Sequence, residues 1–329
     1  MPKTIPIIGD VTKVADDPVY AGLGSMLGDR RDGRVYVTEP RIASAVRVAM
    51  ATGRPLLLQG PAGSGKSSLA PFIARVLRRR FYAMTVTART QARDLLWQFD
   101  ALRRLSDAQV RRPGDEGPSK VERLEHYIEP GVLWWAFDAE SAQRRGASSS
   151  LVPPVSPAQD PGQGPSGKGT VVLIDEIDKA DPDVPNNLLE PLGSLQFTVQ
   201  ETGCTVQTKD PPLVFITTND ERELPAAFRR RCAILYLKQH ERADLIRIGQ
   251  AHFDGHTPAP TADLLGRVAD ALSRLQQGAM TRGHRSPSTA EYLDAVRACL
   301  ELGADPAVTG EWEHIEQLTL SKQDPFAAG

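Results

Sequence analysis

Only three of the 329 residues are cysteine, and Cys204, Cys232 and Cys299 are widely spaced and odd in number. That scarcity excludes a disulfide framework, and the spacing fits no zinc pattern, so a reducing, cytoplasmic setting is expected. No apolar run approaches the roughly 20 residues needed to cross a bilayer. The opening Met1-Pro2-Lys3-Thr4-Ile5-Pro6 lacks the apolar core of a secretory leader, so no membrane partner is expected. Neither sign of charge dominates: 39 Lys and Arg stand against 41 Asp and Glu, a net charge of −2. The chain therefore lacks the global basic field that would make nucleic acid or an anionic surface its main partner. A basic channel inside that total, and with it a nucleic-acid partner, stays open. What remains, 40% hydrophobic and 24% charged residues, is ordinary for a globular chain, long enough for a substantial core and two domains.

One local pattern names a ligand. Gly60-Pro61-Ala62-Gly63-Ser64-Gly65-Lys66-Ser67 fits G-x-x-x-x-G-K-[ST], a loop that cradles phosphate. The apolar run Pro55–Gln59 before it reads as a buried parallel strand, and Ser68–Leu77 after it as a helix with an apolar face. That strand–loop–helix setting is what the motif requires. The glycines let backbone N–H groups close on phosphate oxygens, and the helix start adds the positive end of its dipole. Lys66 is expected on the β- and γ-phosphates and Ser67 on Mg²⁺, with Ser68 completing the loop.

Elsewhere, Glu39–Ala51 has helical spacing, Phe81–Thr87 alternates as a strand, and Arg93–Val110 reads as one helix with Leu95, Leu96, Phe99, Leu102 and Leu105 on one side. Between 145 and 169 the composition collapses into Ser, Pro, Gly and Gln, a flexible loop. Then Val171-Val172-Leu173-Ile174-Asp175-Glu176 forms an apolar strand ending in two carboxylates. A helix over Pro185–Leu192, a hairpin from Leu195 to Thr208, a strand Pro212–Asn219 and a last strand Ile234–Leu237 follow. From Glu241 onward only helices are expected, over Arg242–Gly255, Thr261–Gly278 and Ser288–Leu302.

Coupled to the phosphate loop, Asp175 suits the Mg²⁺ shell and Glu176 a general base for an attacking water. Asn219, at the carboxyl edge of the sheet, suits orientation of that water; the alternative is an ordinary turn-starting Asn. The cluster Arg229-Arg230-Arg231 is either a solvated helix end or an arginine finger entering a neighbour's site. Four aromatics lie within Tyr127–Phe137, either as core packing or as a gripping surface.

The order of phosphate loop, acidic strand, Thr217-Thr218-Asn219 and Leu224-Pro225-Ala226-Ala227-Phe228-Arg229-Arg230-Arg231-Cys232 resembles an AAA+ ATPase of the MoxR-like, dynein-related branch, from about Tyr36 to Leu302. The resemblance implies an α/β fold with a parallel sheet flanked by helices over 35–239, a small α-helical lid over 240–305, a lead-in over 1–34 and a tail over 306–329. It makes Asn219 sensor 1 and Arg231, then Arg230, then Arg229, the finger. It also implies that Tyr127–Phe137, with Trp134 and Trp135, matches an insert that faces the ring pore. Where relatives carry a sensor-2 arginine this chain has Ser288, the start of a capping box with Glu291; Arg285 is the candidate substitute.

The implied activity is Mg²⁺-dependent ATP hydrolysis, ATP and GTP not being distinguished by any residue that reads the base. A finger acting across an interface implies a homo-oligomer, expected as a hexameric ring. The implied client is a protein to be remodelled or activated, a von Willebrand A-domain protein or a conflict-system effector. The alternatives are a motor subunit of a nucleic-acid-processing, restriction-like complex and a non-hydrolysing nucleotide switch.

Overall fold

In the computed structural model, residues 33–110, 120–147, 152–157, 169–282, 286–308 and 310–322 are described. Helix α1 (Pro40–Thr52) leads into β1 (Leu56–Gln59), a glycine-rich turn, α2 (Lys66–Val76) and β2 (Arg80–Thr85). An insert follows, comprising a 3-10 turn (Ala92–Leu95), β3 (Trp97–Phe99), α3 (Ala101–Val110), β4 (Ile128–Pro130), α4 (Val132–Phe137) and α5 (Ala139–Gln143). Next come β5 (Thr170–Asp175), α6 (Asp183–Asn187), α7 (Leu189–Ser194), β6 (Gln196–Thr198), β7 (Thr205–Gln207), β8 (Leu213–Thr218), α8 (Ala226–Arg229) and β9 (Ala233–Tyr236). Helices α9 (Arg242–His252), α10 (Ala262–Arg282), α11 (Thr289–Leu302) and α12 (Glu311–Ile315) complete the order, with a π-helical turn at Glu316–Ser321.

Five strands form a parallel sheet in the order β2-β5-β8-β1-β9. Both faces are covered, so β1 and β8 are apolar runs without polar alternation, as parallel strands require. Successive residues still point to opposite faces. Leu57, Val172, Ile174 and Ile216 pack with the insert, while Leu56, Leu58, Leu173 and Phe215 pack with α1 and α2. A third apolar cluster, built on Leu245, Leu265, Leu272, Tyr292 and Val296, lies entirely within the C-terminal helices.

The single helix expected over Arg93–Val110 is instead a turn, a strand and a shorter helix. The Gln91–Asp94 capping box closes the turn, and Trp97–Phe99 pairs antiparallel with Ile128–Pro130. Asp100 then starts α3 by accepting the Arg103 N–H at 2.8 Å. Leu95 is buried, but Leu102 and Leu105 are exposed, so the expected common face does not form. The helix expected over Pro185–Leu192 is two short helices joined at Leu188.

Part of the expected tail is packed: Trp312, Ile315 and Leu320 join the helical cluster, because their spacing gives α12 and the following turn an apolar face. The expected loop over 145–169 is packed at Arg145–Ala147 and Val152–Pro157, where Val152 and Ala147 are buried and the Val155 N–H donates to Gln143 at 2.9 Å. Residues 148–151 and 158–168 of that loop, residues 1–32 of the expected lead-in and Arg285 lie outside the described residues.

The aromatic insert does not present itself to solvent. Trp134 is fully buried, donates Nε1–H to Ser141 at 3.3 Å and meets Phe197 edge-on. Trp135 is buried against Tyr82. The pore-facing expectation for this pair is therefore corrected: burying two indoles against the sheet outweighs exposing them. No helix among the described residues is long and apolar enough to cross a membrane.

Candidate functional site

The carboxyl ends of β1, β5 and β8 lie side by side at the centre of the sheet, so three sequence-distant segments converge where parallel sheets bind ligands. From β1 comes the turn Gly60–Gly65, ending at the start of α2. Ser64 tightens it by donating Oγ–H to the Pro61 carbonyl at 2.8 Å. Lys66 is buried, and its Nζ donates to the carbonyls of Gly60 and Pro61, each at 2.7 Å. Burial lowers the Lys66 pKa, against the pull of Asp175, Asp178, Asp220 and Glu176, yet the group remains surrounded by acceptors.

From β5 comes Asp175, which accepts hydrogen bonds at Oδ1 from Ser67 Oγ at 2.7 Å and Thr217 Oγ1 at 2.6 Å. Thr217 also accepts the Glu176 N–H at 2.8 Å, so one hydroxyl ties the ends of β5 and β8 together. Glu176 adopts a left-handed conformation with φ 61°, uncommon outside glycine, which lifts its carboxylate out of the strand direction. That carboxylate pairs with Lys179 at 2.7 Å, a hydrogen bond that raises the Lys179 pKa.

From β8 comes Asn219, held by its backbone. Buried Asp178 accepts the N–H groups of Asn219 at 3.2 Å and Glu221 at 3.1 Å, leaving its other oxygen without a partner among the described residues. Gln59 at the end of β1 donates to Asp220 at 2.8 Å, so the turn after β8 is also anchored to the strand that feeds the phosphate loop.

The C-terminal helices close the far wall. Gly63 has φ 74°, and a Cβ there would collide with the side chain of Ser288, so only glycine permits the contact between the loop and α11. The expected capping box is present: Ser288 and Glu291 satisfy each other's backbone groups, with Ser288 N–H donating to Glu291 at 2.6 Å. Lys322 pairs with the other Glu291 oxygen at 2.8 Å. His240 and Thr289 share a hydrogen bond of 2.8 Å.

Between these walls lies a pocket of about 540 Å³, within the range of small-molecule sites, which run from about 300 to 1,000 Å³. Ala62, Gly63, Gly65, Lys66, Ser67, Ser68, Asp175, Glu176 and Asn219 all line it, as do Tyr36, Ile248, Phe253 and Arg297 from elsewhere in the chain. Gly60 and Pro61 contribute through the carbonyls that hold Lys66. Arg229, Arg230 and Arg231 are not among its walls. Arg230 and Arg231 are exposed, and the Arg230 carbonyl accepts from Arg54 at 3.2 Å, beside the amino end of β1.

The donor set around Ser67 and Asp175 fits a hard divalent cation: a hydroxyl and a carboxylate oxygen lie together, oxygen only. Among the described residues no cluster of three or more His, Cys, Asp or Glu could hold a metal alone. Mg²⁺ is characteristically bound by one or two carboxylates plus substrate phosphates and water.

Sequence reasoning missed Thr217, Asp178 and Lys179 as working parts of this site. Asp178 and Lys179 lie just beyond the acidic pair, but only contact with the turn after β8 reveals what Asp178 does.

Residues 55–232 match the family model for the AAA domain of the dynein-related subfamily. Among solved structures, one RuvB variant from Thermotoga maritima shares 15% identity at a TM-score of 0.45, over 84% of this chain and 68% of that one. A second RuvB variant from the same organism shares 15% at 0.42, over 84% and 67%. An ATPase candidate from Cytophaga hutchinsonii shares 13% at 0.39, over 85% and 81%. No curated protein matches the chain.

Proposed function

Because the chain belongs to the AAA domain family, dynein-related subfamily, we propose that it is a MoxR-like, Mg²⁺-dependent ATPase, working as a homo-oligomeric ring to remodel or activate a partner protein. The observation that carries this reading is the convergence of Lys66, Ser67, Asp175, Glu176 and Asn219 on one pocket. Incoming β- and γ-phosphate oxygens take over the two hydrogen bonds that Lys66 now makes to Gly60 and Pro61. Ser67 and Asp175 would hold Mg²⁺, which when bound neutralises phosphate charge. Glu176 accepts the proton of the attacking water once it turns from Lys179, and the Asn219 amide orients that water. Arg231, with Arg230 behind it, completes the site of the next subunit.

Glu176→Gln keeps the shape of the side chain and removes its basicity. Nucleotide binding, followed by fluorescence of a methylanthraniloyl-ATP, should stay within about 3-fold of wild type. Phosphate release should fall by at least the roughly 100-fold typical of general-base catalysis. Turnover near the wild-type rate would remove Glu176 from the role.

A further inference from the structure

A second cavity, of about 430 Å³, lies between β2 and the insert and shares no wall residue with the first. One side is β2, through Tyr82, Ala83 and Met84; the other is β4 and the turn after it; Val155–Pro157 closes one end. Among the described residues, β2 is an edge strand whose only partner is β5. The Val86 N–H donates to the Asp175 carbonyl at 2.8 Å, so residues of even number face β5. The N–H and C=O groups of Phe81, Ala83 and Thr85 therefore face away from the sheet, and no described residue pairs with them. An open row of alternating donors and acceptors beside a cleft is complementary to an extended backbone.

The charges in the cleft add a preference. Asp94 and Asp100 each give one carboxylate oxygen to a backbone N–H, of Gln91 and Arg103 respectively, at 2.8 Å, and neither is among the charges that act on Arg145. Arg145 donates Nη1–H to the His126 carbonyl at 3.3 Å, while its buried Nε–H has no partner among the described residues. Burial, and then the like charge of Arg103, disfavour the charged Arg145, whereas Glu129 favours it. Arg103 and Arg145 line one cleft, close enough for the charge of Arg103 to act on Arg145, and together they complement a carboxylate.

We propose that this cleft takes up an extended peptide segment of a partner protein, which adds as a strand to the free edge of β2 and sets an acidic side chain against Arg103 and Arg145. The occupant would lie one strand away from Asp175, since Thr85 is in register with that residue.

The test is panning of a phage-displayed random dodecapeptide library on the full-length wild-type protein, with counter-selection on Arg145→Met. Enriched peptides should carry Asp or Glu flanked by β-branched residues. Synthesised, they should lose at least 10-fold in affinity on Arg145→Met, by fluorescence anisotropy, and also on Ala83→Pro, which removes an outward N–H. Methylanthraniloyl-ATP should bind both variants as it binds wild type, so a failure here leaves the nucleotide reading standing. Arg145→Met lies outside the sheet and decides the matter if Ala83→Pro does not fold. No enrichment, enrichment of peptides lacking an acidic residue, or binding undiminished by Arg145→Met would each overturn the proposal. So would a dimer of the free protein that Ala83→Pro dissolves, because the edge would then belong to a second copy.

Discussion

Asp178 shows how much of this site is held by groups that never face the pocket. It is buried at 3% exposure and accepts two backbone N–H groups from the turn that carries Asn219. Asp178→Ala strands both donors, at about 1–3 kcal/mol for each buried unpaired group, and frees Asn219 to move. Thermal melts should show that loss and phosphate release should slow, whereas Asp178→Asn, which keeps one acceptor oxygen, should do less on both counts. His240 gives a pH prediction. Burial holds its imidazole below the ordinary 6.5, outweighing Asp244 and Glu39, so the unfolded chain takes up the proton first as pH falls. That contribution to stability is therefore whole above about pH 6.5 and declines below it. The melting temperature should fall between pH 7 and 5, and less steeply in His240→Gln; parallel slopes would remove His240 from the account.

At the scale of elements, the contact between the phosphate loop and α11 is testable as a pair. Gly63→Ala must find room where Ser288 sits and also hold φ 74°, so nucleotide affinity should drop at least 10-fold. Ser288→Gly makes that room, and Gly63→Ala combined with it should recover part of the loss in a double-mutant cycle. Additive losses would mean that the contact does not couple the two elements. The phosphate loop and the acidic strand were legible because each is a local pattern, complete within about ten residues. The segment Arg93–Val110 was not: Leu95, Leu96, Phe99 and Leu102 do repeat at helical spacing, but Trp97–Phe99 finds its partner at Ile128–Pro130, and the pairing overrides the period. Thr217 escaped for a related reason. Its hydroxyl matters only because β8 lies beside β5, which places it against Asp175 across 42 residues of sequence. The tail resisted because Trp312, Ile315 and Leu320 are sparse, and their value depends on a helical cluster already in place.

For the whole molecule, the proposed trans role of Arg231 predicts behaviour no single chain shows. Arg231→Ala and Glu176→Gln subunits, each inactive alone, should recover phosphate release when mixed, because Arg231 of one then meets Glu176 of the other, and no recovery at any ratio would argue against a shared site. The sheet register bears on that prediction. Strand β9 runs parallel to β1 with Ala233 opposite Leu56 and Tyr236 opposite Gln59. Arg231 therefore stands just before the amino end of β9, whereas Lys66 stands beyond the carboxyl end of β1. Four residues of strand, about 13 Å at 3.3 Å each, separate the two ends within one chain. Arg231 and Lys66 thus stand at opposite ends of the sheet, so a contact bringing one chain's Arg231 to another's Lys66 would join unlike surfaces and be heterologous rather than self-complementary. Repeated, such a contact gives every junction the same sense, so the proposed ring would have a direction of travel around it before any nucleotide is bound.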